Sequence, residues 1–204
     1  MLLLVRHGET TANRDGRYLG RADPPLTPAG RAQIERVAQS LPPADIVITS
    51  PLLRARETAA YFSARPVVDE RWIELDYGPL DLAPVGDLPD DVVARWRSDP
   101  DFAPPGVETF TALSDRVHRA CDELRAPAES GTVVVVTHVS PIVAAVGWGL
   151  GIDTSLVGRV FVEDAAVSRI DIVDGRTTLR WFNRSGDEPG HGSEELADRV
   201  RPRR

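Results

Sequence analysis

Leu2-Leu3-Leu4-Val5-Arg6-His7 sets four apolar residues directly against two basic ones. So short and continuous an apolar run suits a strand buried on both faces of a parallel sheet. Val133-Val134-Val135-Val136-Thr137-His138 repeats the pattern and again ends in histidine, and Asp45-Ile46-Val47-Ile48-Thr49 is a weaker third copy. Helical periodicities lie between them. Thr27-Pro28 reads as an N-cap and first helical residue ahead of Ile34, Val37, Ala38 and Leu41. Ser50-Pro51 reads as the same device ahead of Leu52, Ala55, Ala59 and Phe62. A third helix is expected from about Thr109, with Phe110, Leu113, Val117, Ala120 and Leu124 along one face. This alternation predicts an α/β fold, three layers α/β/α around a mostly parallel central sheet. Residues 166–173 and 177–182 flank Asp174-Gly175, a hairpin signal, so the sheet is expected to carry an antiparallel edge.

The 204 residues suffice for one domain with a sizeable core. That domain is expected to span 1–183, with an irregular lid or insertion over about 76–107 rich in proline, and a polar tail over 184–204 holding one short helix near Glu194 to Val200. All 24 basic residues are arginine. The absence of lysine excludes a Walker A loop, a lysine Schiff base and the strand lysine of kinases, each of which needs an ammonium group. The single cysteine, Cys121, excludes an intramolecular disulfide and any Cys-rich zinc site, and is expected to be a small core residue. A net charge of −7 repels polyanions, so nucleic acid is not an expected partner. No apolar segment is long enough for a bilayer, and Leu2 to Val5 lacks a preceding basic region, so no membrane partner and a cytoplasmic location are expected.

The two histidines follow equivalent strands. In open α/β sheets ligands bind outside the carboxyl ends of the strands, so adjacent strands would present His7 and His138 to one crevice. Arg6 precedes the first histidine, and Arg54 follows the third strand at the start of a helix. Two imidazoles, two guanidiniums and helix N-termini together describe a site for a phosphate-sized anion, with Glu74 nearby as a proton donor. His118, within the third helix, and His191, in the tail, are expected to be structural.

Arg6-His7-Gly8-Glu9-Thr10 with Asn13 resembles the signature of the histidine phosphatase superfamily, also called phosphoglycerate-mutase-like. The likeness continues at Gly20, Asp23, Leu26-Thr27 and Gly30, at Ser50-Pro51-Leu52 with Arg54-Ala55 and Thr58-Ala59, and at Glu74 with Asp76-Tyr77-Gly78. It closes with Gly106-Val107-Glu108-Thr109 and Val136-Thr137-His138, in family order across residues 2 to 145. The resemblance implies a phosphoglycerate-mutase-like fold and a metal-independent phosphatase of a small phosphomonoester, without a cofactor. His7 would be the nucleophile, Arg6, Arg54 and His138 would hold the phosphoryl oxygens with Asn13 a lesser contributor, and Glu74 would serve as acid and then base. Leu19 and Gly20 would adjoin the substrate.

Three positions depart from the family pattern. Val139 stands where glycine is usual, which demands a turn without positive φ, although some phosphatase branches resemble this variant. Leu19 replaces a polar residue near the substrate. Leu80-Asp81-Leu82 replaces the usual Trp-Glu-Gly stretch, so any secondary acid role would fall to Asp81. A mutase would need further cations, and Arg95 and Arg97 are the only arginines between Asp76 and Gly106. Net hydrolysis is therefore the expectation; a mutase-type phosphotransferase and a silent phospho-ligand-binding relative are the alternatives. An acidic lid with Asp87, Asp90 and Asp91, next to Trp72, Tyr77, Trp96 and Phe102, suits an apolar or sugar-like leaving group. A monomer or a homodimer is compatible with the sequence.

Overall fold

The computed structural model describes residues 1–152 and 156–185. His191 and the expected short helix near Glu194 to Val200 lie outside the described residues. The strands are β1 (Leu2–Arg6), β2 (Ile46–Thr49), β3 (Val67–Val68), β4 (Val133–Thr137), β5 (Val167–Val173) and β6 (Arg176–Arg184). They form one sheet in the order β3-β2-β4-β1-β5-β6. β1, β4, β2 and β3 pair in parallel, whereas β5 runs antiparallel to both β1 and β6. The hairpin between β5 and β6 turns through Asp174 (φ 49°) and Gly175 (φ 70°). Positive φ at both central residues matches the right-handed twist of the flanking strands.

The helices are α1 (Thr11–Arg14), α2 (Pro28–Ser40), α3 (Leu53–Ala59), α4 (Asp90–Ser98), α5 (Phe110–Glu123), α6 (Arg125–Ser130) and α7 (Val139–Leu150). Side-chain alternation along β1 and β4 splits the core in two. Leu2, Leu4, Val133 and Val135 pack with Leu113 and Val117 of α5 and Ile142 of α7. Leu3, Val5, Val134 and Val136 pack on the opposite face with Ile34 and Val37 of α2 and Ala55 and Ala59 of α3. Both faces of these strands are covered, which is why their sequences are continuously apolar rather than alternating. Full burial of each such side chain is worth about 1.5–3 kcal/mol.

Thr27 caps α2 by accepting from the Gly30 N–H (3.0 Å), and Thr109 caps α5 by accepting from Ala112 (3.2 Å). Ser50-Pro51 does not cap α3. That helix starts later, at Leu53, whose N–H is held instead by the Asp23 carboxylate at 2.7 and 2.9 Å. Ser50 stays with the sheet, its N–H bonded to Val136 at 3.0 Å, which frees its hydroxyl. The stretch 76–107, read as irregular, holds a 3₁₀ turn (Gly78–Leu80) and the nine residues of α4. Asp90 and Asp91 in the first turn of α4, with Arg95 and Arg97 in the last, complement its dipole. Backbone bonds pin this stretch to the loop after α1: Tyr18 to Ala83 (2.9 Å), Leu82 to Tyr18 (2.8 Å) and Val85 to Gly16 (2.8 Å). α7 had no amphipathic signature because nine of its twelve residues are buried. No helix among the described residues is long and apolar enough to cross a membrane.

Candidate active site

β1 and β4 are adjacent and parallel, with Arg6 opposite Thr137, so the residues that follow both strands share one rim of the sheet. The His7 N–H extends that ladder to Thr137 (3.0 Å). The His7 and His138 rings meet edge to face, centroids 5.1 Å apart. β2 flanks β4 on its other side and delivers Ser50 to the same rim.

Hydrogen bonding assigns the His7 tautomer. Nδ1 faces the Gly8 carbonyl at 2.8 Å, and a carbonyl only accepts, so Nδ1 carries the proton. Nε2 then carries the lone pair, which accepts from the Nε–H of Arg54 at 3.2 Å. Burial, reinforced by the charges of Arg54 and Arg6, holds the imidazole well below its ordinary pKa of 6.5. Gly8 is fixed in turn by its N–H to the Thr58 hydroxyl (3.2 Å), which itself donates to Arg54 O (2.8 Å).

Arg54 is fully buried. Its terminal nitrogens donate to Ala22 O (2.8 Å), Gly20 O (2.9 Å) and Leu19 O (3.5 Å), and Asp23 lies 3.7 Å away. Burial pushes its pKa down to about 10, which keeps it charged at neutral pH. Leu19 and Gly20 thus reach the site through backbone carbonyls that position Arg54. Asp81 holds the same loop, accepting from Gly20 N (2.8 Å) and Ala22 N (2.6 Å). Both of its oxygens are engaged as a loop anchor, which departs from the expected secondary acid.

Arg6 is buried, donating to Val162 O (2.6 Å) and pairing with Asp164 (2.7 Å). Its Nε has no partner. His138 shows the same pattern: Nε2 lies 2.7 Å from the Ser50 hydroxyl, while Nδ1 is buried and unpartnered. Burial first, then Arg54, His7 and Arg6, keep His138 well below its ordinary pKa. The Glu74 carboxyl is buried and accepts from Leu75 N (2.7 Å) and, at the start of α7, Ser140 N (3.3 Å). Those N–H groups and the charges of Arg54 and Arg6 favour the anion, but desolvation outweighs them and the pKa is raised. Arg54 contacts His7, His7 contacts His138, and the charges of Arg6 and Arg54 act on His7, His138 and Glu74 alike.

Asn13 is the exception. Its Oδ1 accepts from Thr10 N (3.1 Å) and Thr10 Oγ1 (2.7 Å) in the capping box of α1. Of the aromatic residues expected beside the lid, Trp72 is core and Phe102 sits under the Arg95 guanidinium at 4.0 Å, whereas Tyr77 and Trp96 line an adjacent cavity. His118 bonds the Ala144 carbonyl (3.1 Å) and Cys121 is a buried core residue. Sequence reasoning missed Ser50 and Asp164. The strand-end rule that found the histidines applies equally to Ser50 after β2; Asp164, on the loop before an antiparallel strand, carried no signal. Among the described residues no group of three or more His, Cys, Asp or Glu is placed to hold a metal ion.

Residues 2–185 match the family model described as "Histidine phosphatase superfamily (branch 1)". The chain is 33% identical over 197 residues to a Mycobacterium tuberculosis protein described as bifunctional; the match covers 91% of this chain and 54% of that one, so the chain spans about half the length of that relative. It is 32% identical over 193 residues to phosphoserine phosphatase 1 of Hydrogenobacter thermophilus, covering 89% and 91% of the two chains. A solved phosphoserine phosphatase mutant from Entamoeba histolytica, in complex with phosphoserine, superimposes with a TM-score of 0.81 at 26% identity, covering 89% of this chain and 95% of that one.

Proposed function

The chain belongs to the histidine phosphatase superfamily, branch 1, and from that premise we propose that it is a metal-independent phosphomonoesterase for a small phosphorylated metabolite, working through a phosphohistidine. One observation carries this reading: His138 meets His7 with ring centroids 5.1 Å apart, Arg54 donates to His7 Nε2, and Arg6 Nε and His138 Nδ1 are each buried without a partner. A buried N–H without a partner costs about 1–3 kcal/mol, and a bound phosphoryl group would satisfy both at once.

Nε2 of His7 attacks phosphorus as the P–O bond to the leaving alkoxide breaks. Glu74, whose pKa burial raises, gives that alkoxide its proton. Arg54 and Arg6 neutralise the non-bridging oxygens and His138 donates a hydrogen bond to one of them, which is the greater part of catalysing phosphoryl transfer. Water then attacks the phosphohistidine, Glu74 takes its proton, and phosphate leaves with His7 restored. Asn13, its carbonyl oxygen engaged at Thr10, reaches an oxyanion only through its amide nitrogen. A mutase needs cations for a second anionic group; Arg95 is engaged with Asp99 and Phe102, which leaves Arg97 alone on the lid for that purpose.

Hydrolysis of a panel of phosphomonoesters with chelator present tests the reading. Turnover should resist chelation, need no bisphosphate primer and vanish in His7→Ala, and rapid quenching should trap an acid-labile phosphoenzyme. Phosphate release without any phosphoenzyme, or unchanged in His7→Ala, overturns it.

A further inference from the structure

A cavity of about 280 Å³ opens beside Glu74. Leu75 and Ser140, whose N–H groups hold the Glu74 carboxyl, also form part of its wall. Tyr18, Tyr77 and Trp96 face it as a mutually packed trio with centroids 5.2 to 6.0 Å apart. Val139 and Val143 of α7 contribute apolar wall opposite the lid, and Val93 and Trp96 bring α4 to it. Arg97, exposed on the last turn of α4, is its one charged lining residue, and among the described residues no carboxylate pairs with it.

We propose that this cavity receives the leaving group and selects an apolar alcohol of about one aromatic ring with a short chain, in preference to an amino-acid alcohol. The inference rests on the hydrolase reading above, since Glu74 must protonate the group the cavity holds. A cavity of roughly 150 Å³ lined by apolar residues accommodates benzene, so this one takes a ring and the carbons that join it to the phosphate oxygen. Aromatic walls favour a stacked or edge-on ring. The ammonium of a serine-like leaving group would find no carboxylate in the lining, and would lose its hydration without compensation.

Turnover of 2-phenylethyl phosphate, n-propyl phosphate, O-phosphoserine and 3-phosphoglycerate by the wild-type chain decides the matter. Burial of one ring should raise kcat/KM for 2-phenylethyl phosphate roughly 10- to 100-fold over n-propyl phosphate. Val93→Phe, which narrows the cavity from α4, should remove most of that difference by lowering kcat/KM for 2-phenylethyl phosphate toward the n-propyl value. Equal rates for the two alkyl phosphates, or preference for O-phosphoserine or 3-phosphoglycerate, overturn the inference and leave hydrolysis intact. Should none be hydrolysed, the hydrolase reading fails. Calorimetry with 2-phenylethylphosphonate and n-propylphosphonate then judges the cavity alone: at least tenfold tighter binding of the aromatic ligand supports it, and equal binding overturns it.

Discussion

The Ser50 hydroxyl lies 2.7 Å from Nε2 of His138, and the other nitrogen of that ring is buried with no partner. Ser50 Oγ also accepts from Leu52 N–H at 3.4 Å, and its own proton is free to be given to Nε2. In that arrangement the ring proton sits on Nδ1, the atom available to a phosphoryl oxygen. Ser50 is in this sense a positioning residue. Ser50→Ala is expected to lower kcat/KM about 10-fold, one hydrogen bond's worth, with Ser50→Thr recovering most of the loss. The two variants should melt within a few degrees of wild type. Equal activity in Ser50→Ala would show that the tautomer is set by something other than this contact.

A phosphate-sized anion would give the unpartnered Arg6 Nε and His138 Nδ1 an acceptor and offset the buried charge of Arg54. Orthovanadate or phosphate is therefore expected to raise the melting temperature. The gain should approach about 2.7 kcal/mol at a hundredfold excess over Kd. Arg54→Ala should abolish most of this shift, because it removes the fully buried cation that touches His7. Differential scanning fluorimetry across an anion titration reads it directly, and an unshifted melting curve for wild type in millimolar vanadate would count against an anion site here.

The pH dependence follows from two opposite shifts. His7 works as the neutral base, and burial lowers its pKa well below 6.5, so activity persists as pH falls through 6.5 and is lost only lower down. Glu74 works first as an acid, and its pKa is raised, so activity declines as pH rises through that raised value. The kcat/KM profile for an alkyl phosphate should be bell-shaped, its acidic limb set by His7 and its alkaline limb by Glu74. Glu74→Gln should slow alkyl phosphates by about 10²- to 10⁴-fold and p-nitrophenyl phosphate far less, because that leaving group departs without a proton. Equal losses on both substrates would remove Glu74 from the acid role.

Much of the fold and site was legible because the signals are local. Runs such as Leu2 to Val5 and Val133 to Val136 are buried on both faces and show it in composition, while Thr27 and Thr109 cap helices within their own first turns. What escaped depends on contacts between distant segments. The N-cap role of Ser50 was wrong because the sheet ladder to Val136 holds that residue in β2's extension, and a cap for α3 arrives from Asp23, thirty residues upstream. α7 was invisible for the opposite reason, since a helix buried on almost all sides has no polar face to reveal its period. Gly78 and Gly106 pair in the family-like strings, but only the structure shows why. Gly78 has φ +49°, and a Cβ there would collide with the Gly106 carbonyl, so the lid's base closes only between glycines.

Asp81 separates an anchoring role from a chemical one. Its two oxygens accept from Gly20 and Ala22 N–H, in the loop whose carbonyls clasp Arg54. Asp81→Ala leaves both N–H groups without their acceptor and should destabilise the fold by about 1–3 kcal/mol. Asp81→Asn keeps one acceptor oxygen and should lose less. Both should reduce kcat modestly, through Arg54, with the smaller loss in Asp81→Asn. Neither should move the limbs of the pH–rate profile, because the ionisations that shape it belong to His7 and Glu74. A displaced alkaline limb in Asp81→Asn would mean that the carboxyl exchanges protons during turnover, and the anchor would then be an acid after all.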